Sequence, residues 1–422
     1  MLLLASGCAR LERLANPSPR ETYQASLARA GLDTSALAQD WIRVGEQALA
    51  APLEIASPFR ESGYLSPTEA SAVAYRLSLE RGRRLTVSVT FDASQPGVLF
   101  VELFRLEPDS PVRVAHLELG TTSLGYVVSA DGTYVLRVQP ELLRGGRYTL
   151  IQWTLATLQF PVSGAERASQ GVFGADRDAG RREHEGVDIF SARGMPVHAV
   201  ADGLAQPGEN RLGGTVVWHR DANLSLTYYY AHLDRTALTG STAVRAGDVI
   251  GYVGNTGNAR RTPPHLHFGI YDRGAIDPAP FLRHDDELPP SSSGSLPADG
   301  QLVRVSSRTA ALHRGPGREL EIRGRLRRGE IARVVGATTG WRRVQRPDDS
   351  VGYIPAADLA EATAPLRRES LKAETALLER PAAAAPTITT LETGSRVDVL
   401  GTFDAFLLVR DPEGRLGWAA ER

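Results

Sequence analysis

The chain has one cysteine in 422 residues. That excludes an intramolecular disulfide and any metal site built from clustered cysteines. An excess of either charge is missing too. Lys and Arg number 48 against 49 Asp and Glu, for a net charge of -1. Bulk nucleic-acid binding needs a strong cationic footprint, so no nucleic-acid partner is expected. Long apolar runs are absent as well. The uncharged stretch 148–165 is interrupted by Thr and Gln, and no transmembrane helix is expected. What the chain has in plenty is 41 Gly and 26 Pro, which supply turns and favour a mainly β fold. At roughly 150 residues per domain, the length suggests about three domains.

The lone cysteine ends the segment Met1-Leu2-Leu3-Leu4-Ala5-Ser6-Gly7-Cys8. Small residues directly before a cysteine, after a short apolar run, resemble a bacterial lipobox. The resemblance implies a lipid anchor at Cys8 and a place in the cell envelope, in the periplasm and on the outer membrane. Ala5 stands where Leu is usual, and no Lys or Arg precedes the apolar run. Residues 1–18 are thus expected to be a signal remnant and linker. Residues 19–60 are expected to be largely helical, from the Ala/Leu-rich texture up to about residue 52.

After Pro67 the pattern changes to a period of two. Residues 74–79, 85–89, 98–104, 112–117, 134–138 and 148–153 read as strands, punctuated by Asp131-Gly132 and Gly145-Gly146. A β-sandwich over 65–160 is expected, with no catalytic cluster. A Pro/Ser/Gly linker at 286–300 separates the middle of the chain from a tail that repeats itself. Leu312, Pro316, Gly329, Gly336, Val344 and Gly352 recur 65 residues later as Leu377, Pro381, Gly394, Gly401, Val409 and Gly417. Trp341 matches Phe406, and Tyr353 matches Trp418. The two copies, 301–362 and 363–422, resemble bacterial SH3-like domains, small barrels often found binding cell-wall polymers. Ala383, Ala384 and Ala385 replace the expected polar turn in the second copy. These aromatics serve equally well as plain core residues.

Most of the nine histidines lie between positions 184 and 267. Three short pieces hold the chemistry. In His184-Glu185-Gly186-Val187-Asp188-Ile189, a strand would put His184, Gly186 and Asp188 on one face and Val187 and Ile189 on the other. A helical His-Glu-x-x-His site is rejected, because Gly186 and Val187 disfavour helix and the last position is Asp. The second piece is Tyr228-Tyr229-Tyr230-Ala231-His232-Leu233, β in composition. The third is Pro264-His265-Leu266-His267-Phe268, whose two histidines share a strand face while Leu266 and Phe268 point inward. Two imidazoles and a carboxylate suit Zn2+ with an open fourth position. His184, Asp188 and one member of the His-x-His pair supply the three ligands. The remaining histidines are left for proton transfer and oxyanion stabilisation.

Taken in order, His-x-x-x-Asp, Tyr-Ala-His-Leu and His-Leu-His-Phe resemble the lysostaphin/LytM-type zinc metalloendopeptidases of bacterial cell walls. Arg193-Gly194-Met195-Pro196-Val197, Ala201-Asp202-Gly203, Gly247-Asp248-Val249-Ile250-Gly251 and Gly254-Asn255-Thr256-Gly257 agree with that resemblance. It implies an antiparallel β-sheet peptidase domain over 164–285, with metal ligands His184, Asp188 and His267 and catalytic residues His232 and His265. It also implies Zn2+ as cofactor and peptide cross-links of peptidoglycan as substrate. His265 is the expected general base. His232 would stabilise the transition state or protonate the leaving amine, and the two roles could be exchanged. The alternative is a non-enzymatic module that binds peptidoglycan or activates another hydrolase. A zinc hydrolase acting on other peptides is a third class.

Two features depart from the family's pattern. Asn258-Ala259-Arg260-Arg261-Thr262-Pro263-Pro264 is longer and more basic than the usual turn, and Gly269 stands where many members have Glu. Arg260 and Arg261 could contact substrate carboxylates or lie in a solvated loop. His198 and His219 are expected to serve packing or an edge, and His116, His284 and His313 look incidental. Glu185 would face away from the metal. Gly174, Gly180 and Gly186 read as backbone turns near the groove.

Overall fold

The computed structural model describes residues 16–93, 95–165, 171–177, 180–283 and 300–421. Cys8, with the expected lipid anchor, and His284 lie outside them. Ser18 opens the first helix, Pro19–Arg29, with a capping box. Its hydroxyl accepts from the Glu21 N–H, and its own N–H donates to the Glu21 carboxylate at 2.8 Å. The second helix, Ala36–Ala50, buries Trp41, whose indole N–H donates to the Pro140 carbonyl at 2.8 Å. Helix ends there, although residues up to 60 were expected to be helical. Pro52 and Pro58 cannot continue one, and the chain instead forms strands Leu53–Glu54 and Phe59–Leu65. Among the described residues, no helix is long and apolar enough to cross a membrane.

The alternating segments form two facing sheets. One runs in the order Leu53–Glu54, Val73–Leu79, Gly132–Pro140, Leu99–Arg105, Val112–His116. The other contains Phe59–Leu65, Gly146–Ala156, Arg83–Ala93 and Ser123–Val127. Tyr75, Leu77 and Leu136 of the first pack against Leu85, Val87 and Leu150 of the second in one core. The two helices cover the outer face of the first sheet. There Ser18 donates to Glu102 at 2.7 Å and Arg20 donates to Gln139 at 2.6 Å.

Leu158, Phe160, Val162 and Ala165 belong to the next core, so the chain changes cores ahead of residue 164. That middle unit is an antiparallel sheet. Its order is Val187–Phe190, His265–Tyr271, Thr227–Leu233, Gly214–Asp221, Gly203–Asn210, Thr242–Val244. A three-stranded sheet of Pro196–His198, Val249–Tyr252 and Arg235–Thr236 accompanies it. Every second residue of the central strands is buried, including Tyr228, Tyr230, Leu266, Phe268 and Ile270. That period leaves the opposite sheet face free to carry polar groups.

The tail repeat is visible in the strands. Ile331–Thr338, Trp341–Gln345 and Val351–Pro355 recur 65 residues on as Arg396–Phe403, Phe406–Arg410 and Leu416–Ala420. The first copy does not stand apart from the sandwich. Ser62 pairs with Ala337 and Gly63 with Gly336, so one sheet runs through both. Tyr353 is fully buried in the sandwich core, and Trp418 is buried between the two copies, so these aromatics are core residues. The copies meet at Gly401, where a Cβ would lie 2.3 Å from Ile331.

Candidate metal centre

Strand register builds most of the site. Asp188 lies directly opposite His267, and Phe190 opposite His265, on antiparallel strands. Opposite residues share a face, so the carboxylate and both imidazoles project from one side. Val187 and Ile189 meet Phe268 and Leu266 in the core on the other. His184 arrives differently from the sequence expectation. It is not on the strand of Asp188 but precedes it, with its N–H donating to the Ala175 carbonyl at 2.9 Å. Gly186 then lets the chain graze the neighbouring strand. A Cβ there would sit 2.4 Å from the Phe268 carbonyl and 2.9 Å from the His267 ring. Gly186 is thus a point of close approach, whereas Gly174 and Gly180 have positive φ and make turns.

His232 is the position that simple alternation misplaces. Tyr230 is in the core, and two residues further along a regular strand His232 would join it. The register slips instead. Thr215 pairs with Leu233 but Val217 with Tyr230, so Ala231 and His232 together oppose Val216. This is a β-bulge, and His232 takes φ +63°. Its ring consequently stands 5.0 Å from His265 and 6.0 Å from His267, on the same side of the sheet. The left-handed backbone is held by the His232 N–H donating to the Gly213 carbonyl at 2.7 Å.

The three expected ligands converge. His184 Nε2 is 3.0 Å from both Asp188 Oδ1 and His267 Nδ1, and His267 Nδ1 is 3.1 Å from Asp188 Oδ1. Backbone carbonyls fix three of the four tautomers, since a carbonyl only accepts. His184 Nδ1 donates to Val172 at 2.9 Å, His232 Nδ1 to Thr256 at 3.0 Å and His265 Nδ1 to Pro263 at 2.9 Å. Each of these rings therefore keeps its Nε2 lone pair for the site. Three electron-rich atoms crowded to about 3 Å are the chemistry of a cation site. Tetrahedral ligands about 2.0 Å from a zinc ion would be spaced about 3.3 Å apart. Two imidazoles favour zinc over magnesium or calcium. His265 Nε2 lies 3.9 Å from Asp188 Oδ1, next to the triad and outside it.

Electrostatics follow from this packing. Burial would raise the Asp188 pKa, but the adjoining imidazoles of His184 and His267, which attract the carboxylate whenever they carry a proton, outweigh it and hold the carboxyl well below the usual range. Burial pushes His267 down. It also pushes His232 down, to about 4, with His265 and His267 adding to the effect. Sequence reading missed Arg177, on the short hairpin of Asp176–Arg177 and Arg182–Glu183. Its guanidinium donates to Asp188 Oδ2 at 2.8 Å, leaving Oδ1 to face the histidines. Nothing in the local pattern marks it, because only the fold brings residue 177 to residue 188.

The remaining candidates lie elsewhere. His198 Nδ1 donates to the Gly247 carbonyl at 2.8 Å, and His219 is buried against the Tyr230 hydroxyl. His116 contacts Arg113 and His313 packs on Trp341. Glu185 accepts from the Tyr271 hydroxyl at 3.2 Å, away from the triad. Arg260 and Arg261 are exposed. At Gly269 a Cβ would be 3.0 Å from the Tyr271 ring, so Tyr271 fills the space a larger residue would need. Trp218, 42% exposed, stacks on Tyr229 with ring centroids 4.2 Å apart and extends an aromatic floor from His267.

Residues 182–278 match peptidase family M23, and residues 306–361 match the bacterial SH3 domain. An L-Ala--D-Glu endopeptidase of Bacillus subtilis is 43% identical over 117 residues, covering 25% of this chain and 36% of that protein. A glycyl-glycine endopeptidase of Staphylococcus capitis, ALE-1, is 36% identical over 107 residues, covering 24% and 29%. Among solved structures, the catalytic domain of lysostaphin from Staphylococcus simulans is 30% identical. It covers 28% of this chain and 94% of that one, with a TM-score of 0.26. The chain spans about a third of the length of the curated relatives it matches. The His184, Asp188 and His267 cluster lies inside the segment that matches peptidase family M23, and the segment that matches the bacterial SH3 domain follows it.

Proposed function

We propose that the protein is a zinc-dependent endopeptidase that hydrolyses peptide cross-links of bacterial peptidoglycan in the cell envelope. The observation that carries the proposal is the convergence of His184, Asp188 and His267 within 4.8 Å of one another in the M23 segment. Zinc, when bound, supplies a Lewis acid that polarises a carbonyl and makes water more acidic. His184, Asp188 and His267 would hold it. His265 offers an Nε2 lone pair at the edge of the triad, and it acts as general base towards the attacking water. His232 also presents Nε2 as an acceptor. Burial keeps the ring neutral at rest, so it has no proton there for an oxyanion; its fitting role is to take up a proton transiently during turnover and pass it at once to the leaving amine. Stabilising an oxyanion suits it less. The aromatic cluster of Trp218, Tyr229 and Tyr271 adjoins His267 and offers a surface on which substrate would rest. A lipid anchor at Cys8 would hold the enzyme at the outer membrane.

The test is digestion of purified murein by the zinc-loaded full chain and by His265→Ala, read by mass spectrometry of muropeptides. Cross-linked dimers should fall with wild type and persist with the variant. An unchanged profile with zinc-loaded wild type would point to a binding module instead.

A further inference from the structure

A second concave site lies far from the M23 groove in sequence, where the sandwich unit meets the first SH3 domain. The continuous sheet fixes their relative position, with Ser62 paired to Ala337 and Gly63 to Gly336. The fully buried Glu61–Arg343 pair, at 3.1 Å, clamps the same junction. Between the second helix, the segment 64–74 and the SH3 strands this leaves a cleft of about 810 Å³. That is the size of a small-ligand pocket.

Its lining is unbalanced. Five arginines, at positions 43, 323, 333, 343 and 346, face three carboxylates, Asp40, Glu69 and Asp349. Arg343 is taken by Glu61, Arg43 by Asp40 and Arg346 by Asp348. Arg323 reaches only carbonyls, those of Val351 and Pro52. Arg333 makes no ion pair or side-chain hydrogen bond among the described residues. Two further polar atoms of the lining, the Ser71 hydroxyl and Arg346 Nε, are shielded from solvent without a partner. Shielded polar atoms without partners are uncommon and call for explanation. Burial and the nearby Arg314 also push the Arg323 pKa down, a cost that an anion in the cleft would relieve.

We propose that this cleft binds a short peptide through its carboxylates. The arginines match carboxylates in forked hydrogen bonds. The opposite wall is apolar, formed by Leu37, Val44, Ala48 and Leu53. A ligand that fits both walls carries acidic groups on a partly apolar chain, which a bare oxyanion does not. The unpartnered Ser71 hydroxyl and Arg346 Nε suit backbone polar groups of such a chain. The site would hold peptide independently of the M23 groove, and it does not rest on what that groove cleaves.

The experiment is fluorescence anisotropy of the full chain with a labelled Ala-Glu-Ala-Ala peptide bearing free carboxylates, and with its fully amidated Ala-Gln-Ala-Ala counterpart. The acid should bind at least about tenfold more tightly than the amide. Arg333→Gln, on an exposed position whose loss leaves the fold intact, should weaken acid binding about fivefold or more. The double variant Arg323→Gln/Arg333→Gln should weaken it further. Equal binding of acid and amide, or an unaffected Arg333→Gln, overturns the proposal. So does inorganic phosphate that displaces the peptide at equal concentration. Binding is read without hydrolysis, so failure of the murein digestion leaves this result standing, and the reverse holds too.

Discussion

Asp188 and Glu61 are both carboxylates withdrawn from water, and their neighbours differ in kind. Glu61 is fully buried and ringed by donors. Its oxygens accept from the hydroxyls of Tyr75, Tyr148 and Tyr353 and from Arg343. Burial keeps those phenols protonated far above their ordinary range, so they remain donors. Asp188 meets Arg177 with one oxygen, but its other oxygen faces two imidazoles. His184 can turn only a lone pair toward it, because the other nitrogen of that ring is committed to a carbonyl. A ring of donors closes a buried carboxylate into a structural clamp. A ring of lone pairs leaves a place that a cation completes.

The sharpest way to break this contrast is to remove each carboxylate. Asp188→Ala should abolish stoichiometric zinc, measured by metal analysis of the dialysed protein. Murein hydrolysis should fall by about a thousandfold or more, since the metal supplies several kcal/mol at the reacting carbonyl. The fold should survive, because the lost group opposed no other buried charge than a half-exposed Arg177. Glu61→Ala should do the reverse. It strands Arg343 in the interior, and breaking a buried pair in this way costs about 3–5 kcal/mol. Denaturant unfolding should show that loss, with zinc content unchanged in the folded fraction. Loss of zinc in Glu61→Ala, or a large loss of stability in Asp188→Ala, would erase the distinction.

How much of the contrast was legible in the sequence differs between the two sites. Alternation placed Asp188, His265 and His267 on one strand face, because a half-buried sheet writes its pleat into the chain. The same logic would have sent His232 into the core. A bulge opposite Val216 rescues it, and no local signal announces a bulge. His184 was placed on the strand of Asp188, yet it reaches the triad from the preceding loop through Gly186. Arg177 was not foreseen. Glu61 was invisible altogether, lying between the stretch expected to be helical, 19–60, and the expected sandwich, 65–160. Its partners come from positions 75, 148, 343 and 353, and a cluster of such separation exists only once the sheet has joined sandwich to SH3 domain. The 65-residue repeat was fully legible, since each copy repeats its own strand pattern. The joining of the first copy to Phe59–Leu65 was not.

Acidity offers the mildest probe of the same contrast. In metal-free protein, burial depresses the pKa of His232 to about 4 and also lowers His219, a residue away from the triad. The sign follows from proton counting. Between about pH 6.5 and 4 the unfolded chain binds a proton at position 232 that the folded chain does not, and His219 acts in the same direction. Stability from these histidines is therefore complete above pH 6.5 and lost as pH falls towards 4. The loss from His232 should be about 2 kcal/mol after allowance for solvent at the groove. His232→Gln should flatten the pH dependence of unfolding across this window. The Glu61 clamp contains no histidine, so Glu61→Ala should leave the contribution of His232 to this slope in place. Zinc adds a second slope of the same sign, because its ligands must be deprotonated to bind. The zinc-loaded protein should thus lose stability more steeply on acidification than the metal-free one, and a shallower slope would mean that the metal does not engage the imidazoles.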